Sequence, residues 1–499
     1  MHRLYTLLKI YSLLTTFCIC LITGCAYSPS DNAFEYTVNL SAVENDSIFI
    51  TLKIHVNEGD ESLQFLAPPV YSDNPWLEQK SAGFHDLKVT GQSGNNITVS
   101  LDSVTVGLHK CLRISFPCND TIISVRYTIT FDYVDTIYGP FPFLENNRGY
   151  WQGGHIFLLP YTTNDLADIW RTPYNFSVTY NTATGQTLHG DPLPTVFFSN
   201  VYELMFSTNA LNADVLALGK GGRQRFRFVT LAESNQIDPL LLNEAVRSCQ
   251  ILLEDITSIF EPITATPLSV IFGINNAGGL EGMYAFSIIN PFENDIKGWF
   301  PMILAHETIH AWIGLRVGDY EDPWWKEGTT SYLGYLFALR NNLCSDYFIT
   351  NKLLADLSGD PSVHKYALAD PEVRKRIYAD VDNCESLVYD KGAQVTMLFD
   401  RKIREESGEC TSIDEILGDF AEEYNGRAFY RQEYIAFIKE KSGVDISDIV
   451  SQYVITTGVI PDSVLQENCN ALIAMGAFGD TTVPVGTAII DEPFTPRRW

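Results

Sequence analysis

His306-Glu307-Thr308-Ile309-His310 is the segment of this 499-residue chain whose residue types and spacing most directly imply chemistry. Positions four apart on a helix share one face, about 5–6 Å between Cβ atoms, so His306 and His310 can grip a single metal ion. Zinc suits two imidazoles, each at about 2.0–2.1 Å. Glu307 comes next round the helix, beside the metal, where it is suited to take a proton from bound water rather than to bind the ion. Two neutral imidazoles still need a third ligand and leave a fourth position for water. Glu327 follows His310 after 16 intervening residues and starts a second apolar-periodic segment through Tyr332, Leu333, Leu336 and Leu339. A carboxylate from a neighbouring antiparallel helix completes a site for one zinc per chain.

The flanking residues supply the elements that such a site needs. Pro301 suits the first turn of a helix and Gly314 its C-terminal end. Asp322 reads as the N-cap of the second helix and Pro323 as its first residue. Upstream, Asp238-Pro239 opens a helix through Leu240, Leu241, Val246, Ile251, Leu252 and Ile256, followed by an apolar strand, Pro267 to Ile274. Beyond Gly298 nearly everything reads as helix until about Tyr453. From Phe34 to about Leu231 the text is strand-like. Apolar and polar residues alternate in Phe34–Leu40, Ser47–Val56, Ile97–Val106, Ile122–Tyr133 and Arg225–Leu231, as half-buried antiparallel strands do.

Further motifs carry a resemblance. Ala277-Gly278-Gly279-Leu280-Glu281-Gly282-Met283 lies about 25 residues before His306, and Tyr389-Asp390-Lys391-Gly392-Ala393 lies 62 residues after Glu327. With HExxH and its distal Glu, these resemble the gluzincin zinc metallopeptidases, closest to the glycyl aminopeptidase family, with aminopeptidase N-type enzymes next. The matching segments span about Pro267 to Ile460. The resemblance implies a thermolysin-like catalytic domain that hydrolyses peptide or protein substrates. It implies that Tyr389 stabilises the oxyanion. It also implies that the Gly278-Gly279-Leu280-Glu281 strand lines the substrate backbone, with Glu281 holding a free α-amine. Two departures stand out: Gly282 replaces the usual His or Asn, and Gly334 replaces a carboxylate that often supports a zinc histidine, with Asp319 or Glu321 as the candidate substitutes. An aminopeptidase is therefore expected. A zinc endopeptidase of the same fold, or a surface-binding lipoprotein whose domain has lost catalysis, are the alternatives.

Composition bounds the rest. The chain is 45% hydrophobic and carries 61 acidic against 34 basic residues, a net charge of −27. That excess would repel a phosphate backbone and excludes a nucleic-acid binder. His2, Arg3 and Lys9 precede an apolar stretch, Ile10–Ile22, that reads as a secretory signal. It ends in Ile22-Thr23-Gly24-Cys25, which resembles the lipobox of bacterial lipoproteins, so Cys25 would be lipidated and hold the chain to a membrane of the bacterial cell envelope. Seven cysteines remain after Cys25, an odd number, and Cys111 with Cys118 could clip a hairpin. The expected architecture is α+β: a signal over 1–24, a lipidated linker over 25–33, an antiparallel β-sandwich-like domain over 34–232, the catalytic domain over 233–400, a helical part over 401–460, and a tail over 461–499 without a strong period. The oligomeric state is left open.

Overall fold

The computed structural model describes residues 33–41, 47–57, 60–68, 82–106, 109–117, 120–131, 143–145, 147–161, 172–231, 239–263, 267–272, 279–280, 282–288, 299–322, 324–344, 349–374, 376–377 and 384–479. The signal segment, Cys25, Cys118 and the chain beyond 479 lie outside the described residues. Among the described residues no helix is long and apolar enough to cross a membrane.

Alternation shapes the N-terminal region. Strand Ala33–Asn39 buries Phe34, Tyr36 and Val38 and leaves the residues between them partly or fully exposed. Ser47–His55, Ile122–Phe131 and Pro173–Asn181 follow the same rule. These strands build a six-stranded sheet in the order Thr195–Asn200, Pro173–Asn181, Ala33–Asn39, Ser47–His55, Ile122–Phe131, Ala82–Gly91. It is antiparallel throughout except where Ala33–Asn39 runs parallel to Pro173–Asn181. A four-stranded sheet of Leu159–Pro160, Ser62–Leu66, His109–Ser115 and Thr98–Val106 shares its core, with Phe34 meeting Phe65 edge to face. The sandwich-like domain is thus present. Tyr150 and Trp151 are 1% and 0% exposed and serve as core.

Its expected boundary at 232 is displaced. Strand Gln224–Thr230 pairs in parallel with Leu268–Phe272, Phe226 lying opposite Leu268. The hairpin Asp214–Gly221/Gln224–Thr230 therefore joins a five-stranded sheet continued by Leu268–Phe272, Ala285–Ile288 and, at the edge, Gly279–Leu280. Its aromatic face decides this, because Phe228 stacks on Phe272 at 5.0 Å. Alternation identifies a strand but not the sheet that receives it. Leu268–Phe272 is buried at all five positions, as a central parallel strand should be.

The helices that follow pack on this sheet in a single core running from Phe226 through Leu304, Trp325 and Phe399 to Phe437 and Leu472. The catalytic and helical regions are thus one packed unit. Within the mostly helical stretch lies a small parallel pairing, Val317–Asp319 with Arg427–Phe429. The supposed tail begins with helix Asp462–Ala474, which buries Leu465, Cys469 and Leu472 against the core. That spacing is helical, but three apolar positions among Asn, Gln and Glu give a weak pattern.

Candidate metal and catalytic site

Helix Trp299–His310 is apolar on nearly every side, the pattern of a fully buried helix. His306, Glu307 and His310 are nonetheless on it, only 8%, 6% and 1% exposed. Burying three such groups is costly unless each has a partner. His306 Nε2 and His310 Nε2 lie 2.9 Å apart, and Glu327 Oε2, from helix Trp325–Arg340, lies 3.4 and 3.2 Å from them. A tetrahedral ion with bonds of about 2.0–2.1 Å holds its donors roughly 3.3 Å apart, so the three separations fit one ion. Among the described residues, this is the group of His, Cys and carboxylate side chains able to hold a metal.

The rest of the geometry orients these donors. His310 Nδ1 lies 3.1 Å from the Ile313 carbonyl. A carbonyl only accepts, so Nδ1 carries the proton and Nε2 presents its lone pair inward. His306 Nδ1 faces the Ser331 hydroxyl at 3.4 Å, a longer contact. The two carboxylates expected as supports are engaged elsewhere. Asp319 is held by Arg374 at 3.0 Å, and Glu321 accepts the Arg431 backbone N–H at 2.9 Å. At Gly334 a Cβ would stand 3.1 Å from the Met302 carbonyl oxygen and 3.4 Å from His306 Cβ, so a side chain there requires its neighbours to give by a few tenths of an ångström.

Glu327 is gripped from its other side. Lys326 Nζ sits 3.2 Å from Oε1, over the ring of Phe206 from the β domain at 5.4 Å. Burial favours the protonated carboxyl, but the Lys326 charge and both histidines outweigh it and hold Glu327 well below the usual carboxylate range. The described helix runs from Trp325, with the Asp322 carboxylate 2.8–3.0 Å from Arg431 rather than on a helix N–H; Pro323 lies outside the described residues. Its far end is pinned by Arg340, 2.6 Å from both Asp255 and Asp414. Tyr332 OH adds a 2.6 Å bond to Asp400.

Tyr389 reaches the same place from a π-helical turn, Leu387–Lys391, that leads into helix Gly392–Glu406. Its ring stacks on His306 with centroids 6.0 Å apart and planes 22° from parallel. Such turns recur at functional sites because they rotate a side chain out of the regular helical register. Strand Gly279–Leu280 runs antiparallel to Ser287–Ile288 at the sheet edge, as expected. Gly278 and Glu281 lie outside the described residues. The glycine at 282 has a local cause. A Cβ there would stand 2.2 Å from Thr208 Oγ1 and 2.0 Å from the Ala285 carbonyl oxygen, so His or Asn has no room. Ser331 and Lys326 were missed in the sequence. Ser331 sits four residues after Glu327 and could have been found by helical spacing; the Ile313 carbonyl could not, since any residue offers one.

No protein-family model and no curated protein matches the chain. Solved structures do. An aminopeptidase N family protein from Idiomarina loihiensis superimposes with a TM-score of 0.62 at 13% identity, over 87% of this chain and 78% of that one. An M1 zinc metallopeptidase from Deinococcus radiodurans, bound to a Tyr-Ser-Ala substrate, gives 0.54 at 14%, over 86% and 95%. Legionella pneumophila aminopeptidase A in complex with aspartic acid gives 0.55 at 14%, over 87% of this chain and 50% of that one. At such identities the likeness is one of architecture, and it matches the architecture expected from the gluzincin motifs: this chain has the fold of the M1 zinc metallopeptidases.

Proposed function

We propose that the protein is a zinc-dependent aminopeptidase that hydrolyses the N-terminal peptide bond of its substrates. The observation that carries this is the triangle of His306, His310 and Glu327 donors at 2.9–3.4 Å, with Tyr389 stacked on His306. What zinc supplies at such a site is Lewis acidity, enough to bring the pKa of water down to about 7. His306, His310 and Glu327 would hold the ion, the first two fixed by Ser331 and the Ile313 carbonyl. Glu307, buried beside them, takes the proton of the attacking water and returns it to the leaving amine. Tyr389 donates its phenol proton as a hydrogen bond to the carbonyl oxygen as negative charge gathers there. A free-amine substrate is supported by the structural neighbours that hold a tripeptide or an amino acid. The edge strand Gly279–Leu280 offers main-chain groups to an extended peptide. We further propose lipidation at Cys25 and attachment to a membrane of the bacterial cell envelope.

Glu307→Gln tests the assignment. It removes a proton acceptor but no ligand, so the purified variant should retain one zinc per chain while hydrolysis falls by roughly 10²–10⁴. A Gln variant with near-normal turnover means that the base is wrong. Undiminished peptide hydrolysis by metal-stripped protein sinks the whole reading.

A further inference from the structure

The helix that carries Glu327 has two glycines in tight contact with two different neighbours. At Gly328 an added Cβ would stand 2.6 Å from Gly392 Cα and 2.9 Å from the Val388 carbonyl oxygen; at Gly392 it would stand 2.8 Å from Gly328 Cα. Helices Trp325–Arg340 and Gly392–Glu406 therefore touch backbone to backbone, closer than the usual interaxial distance of about 8–10 Å allows with side chains between. Each glycine adjoins a functional group: Glu327 directly precedes Gly328, and Tyr389 lies three residues before Gly392. Gly334, roughly 120° further round the same helix, meets the other partner. There a Cβ would approach Met302 O to 3.1 Å and His306 Cβ to 3.4 Å, on the helix that carries both histidines.

We infer that these glycines are positioning residues with separate tasks: the Gly328–Gly392 contact sets the distance from the metal ligands to Tyr389, and Gly334 sets Glu327 against His306. The inference rests on the proposed roles of zinc and Tyr389. A backbone contact of this kind cannot be relaxed by a rotamer change. A methyl at Gly392 drives the Tyr389 turn and the Gly328 backbone apart, and so lengthens the distance from Tyr389 to the metal ligands. A methyl at Gly334 is accommodated by a shift of a few tenths of an ångström and moves His306 relative to Glu327 instead.

The two tasks separate by experiment. Gly392→Ala should lower kcat about 10²-fold, the cost of roughly 1 Å of misplacement, with KM and zinc content changed less than about twofold. In a Tyr389→Phe background the same substitution should cost less than about threefold, because the group it displaces is gone. A second full loss in that background shows additivity and overturns the positioning role. Gly334→Ala should raise the zinc Kd about tenfold by chelator competition; an unaltered Kd overturns that half. Gly418→Ala is the control. Its Cβ would stand 2.7 Å from the Ile259 carbonyl oxygen, between helices that carry neither a metal ligand nor Tyr389. It should lose thermal stability and keep its kcat, and an equal kcat loss there would reduce the effect to general softening. A wild type without peptide hydrolysis overturns the peptidase reading instead, and the chelator measurement still decides the Gly334 contact.

Discussion

Acid should loosen the β domain through His155. This imidazole is 2% exposed, and its Nδ1 accepts the Gln152 backbone N–H at 2.8 Å. Burial drives its pKa down from the ordinary 6.5 to about 3. The native state therefore binds fewer protons than the unfolded chain at every pH between those values, and stability rises with pH across the window. It is fully present above about 6.5 and lost as the pH falls toward 3. The slope is about 1.4 kcal/mol per pH unit, so moving from pH 6.5 to pH 5 costs about 2 kcal/mol through this one group. His189 adds a similar slope down to about 4, through burial and then the Arg227 guanidinium 3.0 Å from its Nδ1. Buried Asp191 works the other way, since burial pushes its carboxyl up, so the absolute curve is a composite and a difference must be measured. Urea denaturation of wild type and His155→Gln, followed by tryptophan fluorescence at several pH values, gives that difference. The variant's stability should fall less steeply on acidification, by about 1.4 kcal/mol per unit. Parallel curves would refute the argument. The consequence reaches the site, because Gln152 Nε2 donates to Thr208 Oγ1 at 3.1 Å, and Thr208 backs Gly282 beside the edge strand.

Three further outcomes are expected. Ser331→Ala removes a neutral contact that at 3.4 Å is longer than an ordinary hydrogen bond. It should raise the zinc Kd only about twofold, matching about 0.5 kcal/mol; a hundredfold rise by chelator competition would make Ser331 a dominant support. Glu281→Ala should lose roughly 10–100-fold in kcat/KM on free-amine peptides and change little on N-acetylated ones. Rapid internal cleavage of acetylated peptides by the wild type would replace the exopeptidase with an endopeptidase. Cys25→Ser should move the protein from the detergent phase to the soluble fraction, and unchanged partitioning would remove the lipid anchor.

The sequence by itself determined the chemistry of the site, because that chemistry depends on residue type and local spacing. His306 and His310 share a face by helical period alone, and Glu307 then falls beside them wherever the helix is placed. The strands of the β domain were legible for the same reason, their alternation being a local consequence of one buried face. Tertiary structure decided what depends on approach between distant segments. The hairpin Asp214–Thr230 went to the catalytic sheet because Phe228 found Phe272. Asp322 left its capping role because Arg431, more than a hundred residues on, offered a charge. The ring contacts became Ser331 and a backbone carbonyl where the two ligand helices meet closely at Gly334. Local pattern sets what an element can do. Which partner satisfies each buried polar group is set only when the elements are packed, because that choice turns on distances of an ångström that no spacing along the chain encodes.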